Sequence, residues 1–260
     1  MALDEDWITD LHFSELSNGV TLLERVLRQE QEAVIERCRR ELAAIPKDIR
    51  ETDDGIEIRV SEREHDIATE IEQVAQEIPR LLMKNMIVGT WSLFEGDMIG
   101  LVQSRITAEG DLSDASFVAA GEIREMKHVT KYWEQKEIQL PTGWAFVDTV
   151  REIRNQIVHD GGVRSDVDDV TDPVELTRHS CTVKIDAFIA AREAEGKSGI
   201  WYHHGALVVT ADFCREVVTL LLAYVKETKQ RTYIRFKDEA LERRMRASKQ
   251  SPFGGFCGLY

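Results

Sequence analysis

The chain is poor in the residues that staple or break small folds. Four cysteines, Cys38, Cys181, Cys214 and Cys257, are scattered through 260 residues. No C-x-x-C pair occurs, so zinc-ribbon and thioredoxin-like arrangements fail on spacing. Structural thiols of a reducing compartment are the expectation. Five prolines interrupt the chain rarely, and long stretches of Glu, Arg, Ala and Leu favour helix. No apolar run reaches the ~18 residues of a membrane span. The stretch 81–102 is the richest, but Lys84, Glu95 and Asp97 interrupt it. The acidic N-terminus lacks the apolar core of a signal peptide. A cytoplasmic protein with no membrane association is expected. Positive charge is also short, with a formal net charge of −14. That runs against a uniformly phosphate-binding surface. P-loop, G-x-G-x-x-G, G-x-S-x-G and H-E-x-x-H motifs are all missing.

What is present is mostly helical pattern. Leu22, Leu23, Val26, Leu27, Val34, Ile35 and Leu42 recur at helical spacing over 20–45, and Pro46 stops the run. Ile56 to Val60 alternates like a strand after a 53–55 turn signal. Ser61 and Glu64 make a capping box for a helix carrying Ile67, Ile71, Val74, Ile78 and Leu81. Pro79 should kink or divide that helix. The segment 81–102 reads as a central buried helix, 106–113 as a polar loop, and 114–137 as a further helix. Lys131-Tyr132-Trp133 offers either a base-stacking platform or core packing.

After a break at Leu140–Gly143, with Thr142 as N-cap, a helix carries Trp144, Val147, Val150, Ile153 and Ile157 and ends at Gly161-Gly162. Residues 163–183 read as an acidic loop. Asp166, Asp168, Asp169 and Asp172 lack the glycine and final glutamate of a calcium loop, so a solvated connection is preferred to a metal site. Ile185–Ala191 with Ile200–Val209 reads as a small hairpin or strand insert, and 211–225 as another helix. His203 and His204, adjacent on a strand, would point to opposite faces. From Lys226 to Lys249, nine basic residues stand against four acidic ones. They form either a local basic surface or a solvated helix. The glycine-rich 251–260 tail is expected to be poorly ordered. The resulting division is an N-terminal helical extension (1–60), a helical domain (61–230) and a basic C-terminal segment (231–260).

The most specific chemical offer is Arg154-Asn155-Gln156-Ile157-Val158-His159. Asn155 and His159 are four apart and share a helix face. Arg154 is offset from His159 by about 140°. A histidine at a helix C-terminus feels the negative end of the dipole, which favours its protonated form. It would suit acid–base work on a 2′-hydroxyl or a 5′-leaving oxygen. An arginine can hold phosphate oxygens bidentately and stabilise pentacovalent charge. The plainer reading is a histidine that caps helix-end carbonyls. Arg151, one turn earlier, either extends a phosphate site or pairs with a surface acid.

Arginine, a polar residue beside it, and histidine after a gap of four, at the end of a helix in an all-α frame, resemble the HEPN superfamily (higher eukaryotes and prokaryotes nucleotide-binding). The likeness in helical pattern covers about residues 65–228, and only the motif is specific. The resemblance implies an all-α, HEPN-like helical bundle, here with the N-terminal extension and a small β-hairpin insert. It implies a homodimer whose two motif helices share one cleft, and a metal-independent endoribonuclease without cofactor. Such an enzyme cuts RNA by 2′-OH attack to a 2′,3′-cyclic phosphate. Arg154 would orient and stabilise the scissile phosphate, His159 would be the acid/base or an orienting group, and Asn155 would position the site. A toxin or antiviral-defence role follows, with an antitoxin or defence-system protein as partner. Two features depart from the pattern. Gly161 stands where some toxin members carry a modified tyrosine, and the overall charge is acidic. A catalytically inactive HEPN-like module that binds nucleotide or a partner protein is the alternative.

Overall fold

The computed structural model describes residues 6–45, 48–52, 55–59, 61–109, 123–164 and 173–250. Among these residues the fold is all-α with two short hairpins. The helices are α1 (Asp6–Ala44), α2 (Glu62–Glu72), α3 (Ile78–Glu109), α4 (Met126–Gln135), α5 (Trp144–Asp160), α6 (Pro173–Ala194) and α7 (Ala211–Gln250). One hairpin pairs β1 (Asp48–Thr52) with β2 (Gly55–Arg59), and the other pairs β3 (Ile200–His203) with β4 (Ala206–Val209), both antiparallel.

The chain divides into two compact units. One unit gathers Leu11–Trp91 with Asp148–Thr219, and it holds the arginine–histidine segment. Its core includes Val20, Ile67, Ile87, Ile153, Ile185, Leu207 and Val217, all essentially inaccessible. The other comprises Met1–Asp10, Ser92–Val147 and Leu220–Tyr260. There Phe94, Met98, Val129, Trp133 and Val225 are buried, and Tyr224 meets Phe94 edge-on at a centroid distance of 6.0 Å. Tyr132 and Trp133 are core residues, 1% and 0% exposed, so the Lys131–Trp133 stretch offers no stacking platform.

Several sequence signals have direct structural counterparts. Ser61 Oγ accepts from the Glu64 backbone N–H at 3.2 Å while the Glu64 carboxylate accepts from the Ser61 N–H at 2.7 Å, which satisfies two of the orphan donors at the start of α2. Pro79 lies in the first turn of α3, and the break that it causes lies just upstream. Residues Gln73–Glu77 form a π turn between α2 and α3, closed by the Ile78 N–H on the Gln73 carbonyl. Proline cannot donate to the carbonyl four residues before it. Gln31 of α1 supplies the donor instead, its Nε2 reaching the Val74 and Ala75 carbonyls at 2.8 and 3.3 Å.

Other expectations need correction. Residues 185–191 belong to α6 and not to a strand, because Ile185 and Ile189 bury at helical spacing with Arg192. The hairpin is instead made within 200–209, across a His204-Gly205 turn. Helix α6 begins at Pro173, so much of 163–183 is helical, with the proline supplying a first-turn residue that needs no donor. Helix α3 continues through 106–109, and α4 starts only at Met126. In α1 the buried apolar positions among the described residues are Phe13, Val20 and Cys38, whereas Leu22 and Val26 are exposed. His204 has a φ of +48° in the turn, which brings its ring within 4.3 Å of the His203 ring instead of on the opposite face. The 165–172 acidic stretch, the 110–122 segment and the 251–260 tail lie outside the described residues.

Candidate functional site

Helix α5 carries all four residues singled out in the sequence. Its apolar stripe is as expected: Val147, Val150, Ile153 and Ile157 are buried. That phase fixes where the polar residues go. Arg154 and Asn155 are half-buried, and Val158 and His159 are exposed in the last turn. Arg154 Nη1 donates to Asn155 Oδ1 at 3.0 Å, so the amide props its neighbour's guanidinium. Arg154 Nε is inaccessible and has no hydrogen-bond partner. Among the described residues its guanidinium meets no carboxylate.

Arg151 is differently placed. Its guanidinium reaches Asp148 at 2.7 Å and Glu152 at 2.9 Å, so it sits within an ion-pair network. Glu152 is only 6% exposed and also takes Lys184 Nζ at 3.1 Å and the Cys181 thiol at 2.9 Å. Burial pushes the Glu152 carboxyl up, but donors from Cys181, Arg151 and Lys184 outweigh it and hold it at about 2. Burial and the adjacent carboxylate push the Cys181 thiol up to about 12. The thiolate, the nucleophilic form, is therefore scarce at neutral pH. Cys38, Cys181 and Cys214 are all buried and free.

The end of α5 is locked by residues that periodicity alone does not reveal. Gln156 is 2% exposed. Its Nε2 donates to the Val163 carbonyl at 3.0 Å and to Thr182 Oγ1 at 3.4 Å, and its Oε1 accepts from Tyr202 at 2.7 Å. One amide thus ties α5 to the chain beyond it, to α6 and to β3. Burial drives the Tyr202 hydroxyl up to about 12, which keeps it a donor. Gly161 and Gly162 adopt φ of +62° and +79°. The Gly162 N–H turns back to the Gln156 carbonyl at 2.9 Å. Lys84 of α3 donates to the Gly161 carbonyl at 2.9 Å, a cation where the helix dipole is negative. A Cβ at Gly162 would lie 2.7 Å from Lys84 Nζ, so the glycine is also what admits the lysine. Beyond it, Gly162 accepts from the Leu207 N–H and Gly205 from the Arg164 N–H, each at 2.7 Å, adding this segment to the β3–β4 hairpin.

The structure thus brings Arg154 and Asn155 together, presents His159 to solvent five residues on, and turns Arg151 toward acids. Glu152 and Gln156 were missed as polar residues on an otherwise apolar arc. Their four-residue spacing, beside Ile153 and Ile157, was the available signal. No group of three His, Cys, Asp or Glu with metal-holding geometry occurs among the described residues. No helix among them is long and apolar enough to cross a membrane. No protein-family model, no curated protein and no solved structure matches this chain.

Proposed function

We propose that the chain is a metal-independent endoribonuclease of HEPN type that acts as a homodimer, as a toxin or antiviral-defence effector. One observation carries the reading. Arg154 is half-buried with an orphan Nε and no carboxylate among the described residues, although Asp148 and Glu152 lie on the same helix. Asp148 and Glu152 are occupied by Arg151 and Lys184. A partly desolvated guanidinium without a counter-ion favours an anion from outside, and the arginine fork fits a phosphate.

In this reading Arg154, propped by Asn155, holds the scissile phosphate and stabilises the charge that develops on it. His159 moves the proton at the 2′-hydroxyl or the 5′-leaving oxygen. The products are a 2′,3′-cyclic phosphate and a 5′-hydroxyl. A second copy would bring its own α5 to the same cleft, and the exposed Val158 beside His159 offers apolar surface for that contact. Purified protein should cut RNA in EDTA, with those end groups found by mass spectrometry. Arg154→Ala and His159→Ala should each lower the rate by at least ~100-fold. Efficient cleavage by His159→Ala overturns the proposal. Expression should arrest growth, and Arg154→Ala should relieve the arrest.

The net charge of −14 favours a second reading, a catalytically inactive module that binds nucleotide or a partner protein such as an antitoxin. Tight partner capture by a wild type that never cleaves RNA would select it.

A further inference from the structure

A groove of about 450 Å3 runs between α1, the start of α3 and the β3–β4 hairpin, all within the unit that carries Arg154. Its apolar floor includes Leu27, Met83 and Val209, and Trp201, Arg28 and Arg80 stand around it. Trp201 is 37% exposed, whereas Trp91 and Trp133 are buried. An indole left at the surface, on a short strand beside cations, is an available face for stacking.

The charge balance at the groove runs against that of the whole protein. Arg80 is half-buried, and its Nη2 donates to the neutral amide of Gln76 at 3.1 Å. Among the described residues its positive charge meets no carboxylate. One turn later, burial and the Arg80 charge both disfavour the ammonium form of Lys84. Glu24 is the acid on the groove wall, and it is shared between Arg28 at 3.5 Å and Arg215 at 2.9 Å. Cations therefore outnumber acids around an apolar slot on a protein of net charge −14. A purely apolar occupant would leave Arg80 uncompensated, and an acidic peptide without an aromatic residue would leave the Trp201 face without a planar partner. A nucleotide supplies both a planar base and a phosphate.

We propose that this groove holds a nucleotide of a single-stranded RNA outside the cleavage site, its base stacked on Trp201 and its phosphate on Arg80 and Arg28. The inference rests on RNA being the substrate, and it deepens that reading by naming an anchoring subsite. The hairpin accounts for the separation between subsite and motif. Tyr202 reaches Gln156 of α5, while Trp201, its neighbour along the strand, lines the groove. Successive strand residues point to opposite faces.

The test measures binding of a fluorescein-labelled octaribonucleotide to the full chain by anisotropy, with tryptophan quenching as a second signal, followed by steady-state cleavage. Trp201→Ala should weaken binding about ten-fold, and Trp201→Phe should recover most of the loss, because a ring face remains. Arg80→Ala should reduce the slope of log affinity against log salt by about 0.7. In cleavage, both alanine variants should raise KM and leave kcat near wild type. Unchanged affinity in folded Trp201→Ala and Arg80→Ala proteins overturns the subsite. So does an octamer that binds no better than a mononucleotide. A wild type that binds the octamer through Trp201 but never cuts it sinks the nuclease reading and leaves the groove standing.

Discussion

Replacing Glu152 by glutamine removes one charge from the middle of the α5–α6 network and changes little else in size. The folded carboxyl is held at about 2 against an ordinary 4.5. At ~1.36 kcal/mol for each pH unit between them, the gap corresponds to ~3.4 kcal/mol of stabilisation at neutral pH. Glu152 is buried, but the side chains of Arg151 and Lys184 are 36% and 46% exposed. Solvent screens their share, and about 2 to 3 kcal/mol is the expected loss for Glu152→Gln at pH 7. The sign of the pH dependence follows from a depressed acid. The stabilisation is complete above the unfolded value of 4.5 and drains away as pH falls toward about 2. By linkage, less than half should remain near pH ~3. Urea unfolding followed by circular dichroism, for wild type and variant between pH 3 and pH 7, measures this directly. The two curves should converge on acidification. Equal stability at pH 7, or a gap that persists unchanged to pH 3, would refute the argument that the ion pairs outweigh the cost of burying the carboxylate.

Gly162→Ala should cost about 2 kcal/mol, from ~1–2 kcal/mol for the left-handed backbone and from displacing Lys84 off the Gly161 carbonyl. Gly161→Ala has open space around it and should cost only ~1 kcal/mol. Equal losses in thermal melts would show that the Lys84 contact contributes nothing. Cys181, with its thiol pushed up to about 12, should resist iodoacetamide at pH 8 in the folded protein and react once urea unfolds it. Rapid native alkylation, mapped by mass spectrometry, would contradict the burial argument.

Much of the local structure was legible because it depends on neighbours in the chain. The Ser61–Glu64 capping box, the apolar stripe of α5 and the glycine-closed end of that helix are short-range patterns with short-range causes. The misread segments share a different cause. Residues 185–191 are apolar enough for either state, and only the burial of one helical stripe, Cys181, Ile185, Ile189 and Arg192, marks them as the middle of a helix. In α1, Leu22 and Val26 match the helical period yet face solvent, because the period does not say which stripe meets a neighbour.

The same division holds for the candidate site. The sequence by itself determined that Arg154, Asn155 and His159 lie on one helix and that the helix ends at Gly161-Gly162, since helix geometry and glycine's left-handed freedom need no partner. Only the tertiary structure decided what those residues meet. It set Arg151 on Asp148 and Glu152, left Arg154 Nε without a partner, and brought Lys84, 77 residues away, onto the Gly161 carbonyl. It also buried Gln156 among Val163, Thr182 and Tyr202. Charge compensation and hydrogen-bond satisfaction are set by contacts between distant segments, and a linear pattern carries no distance between them.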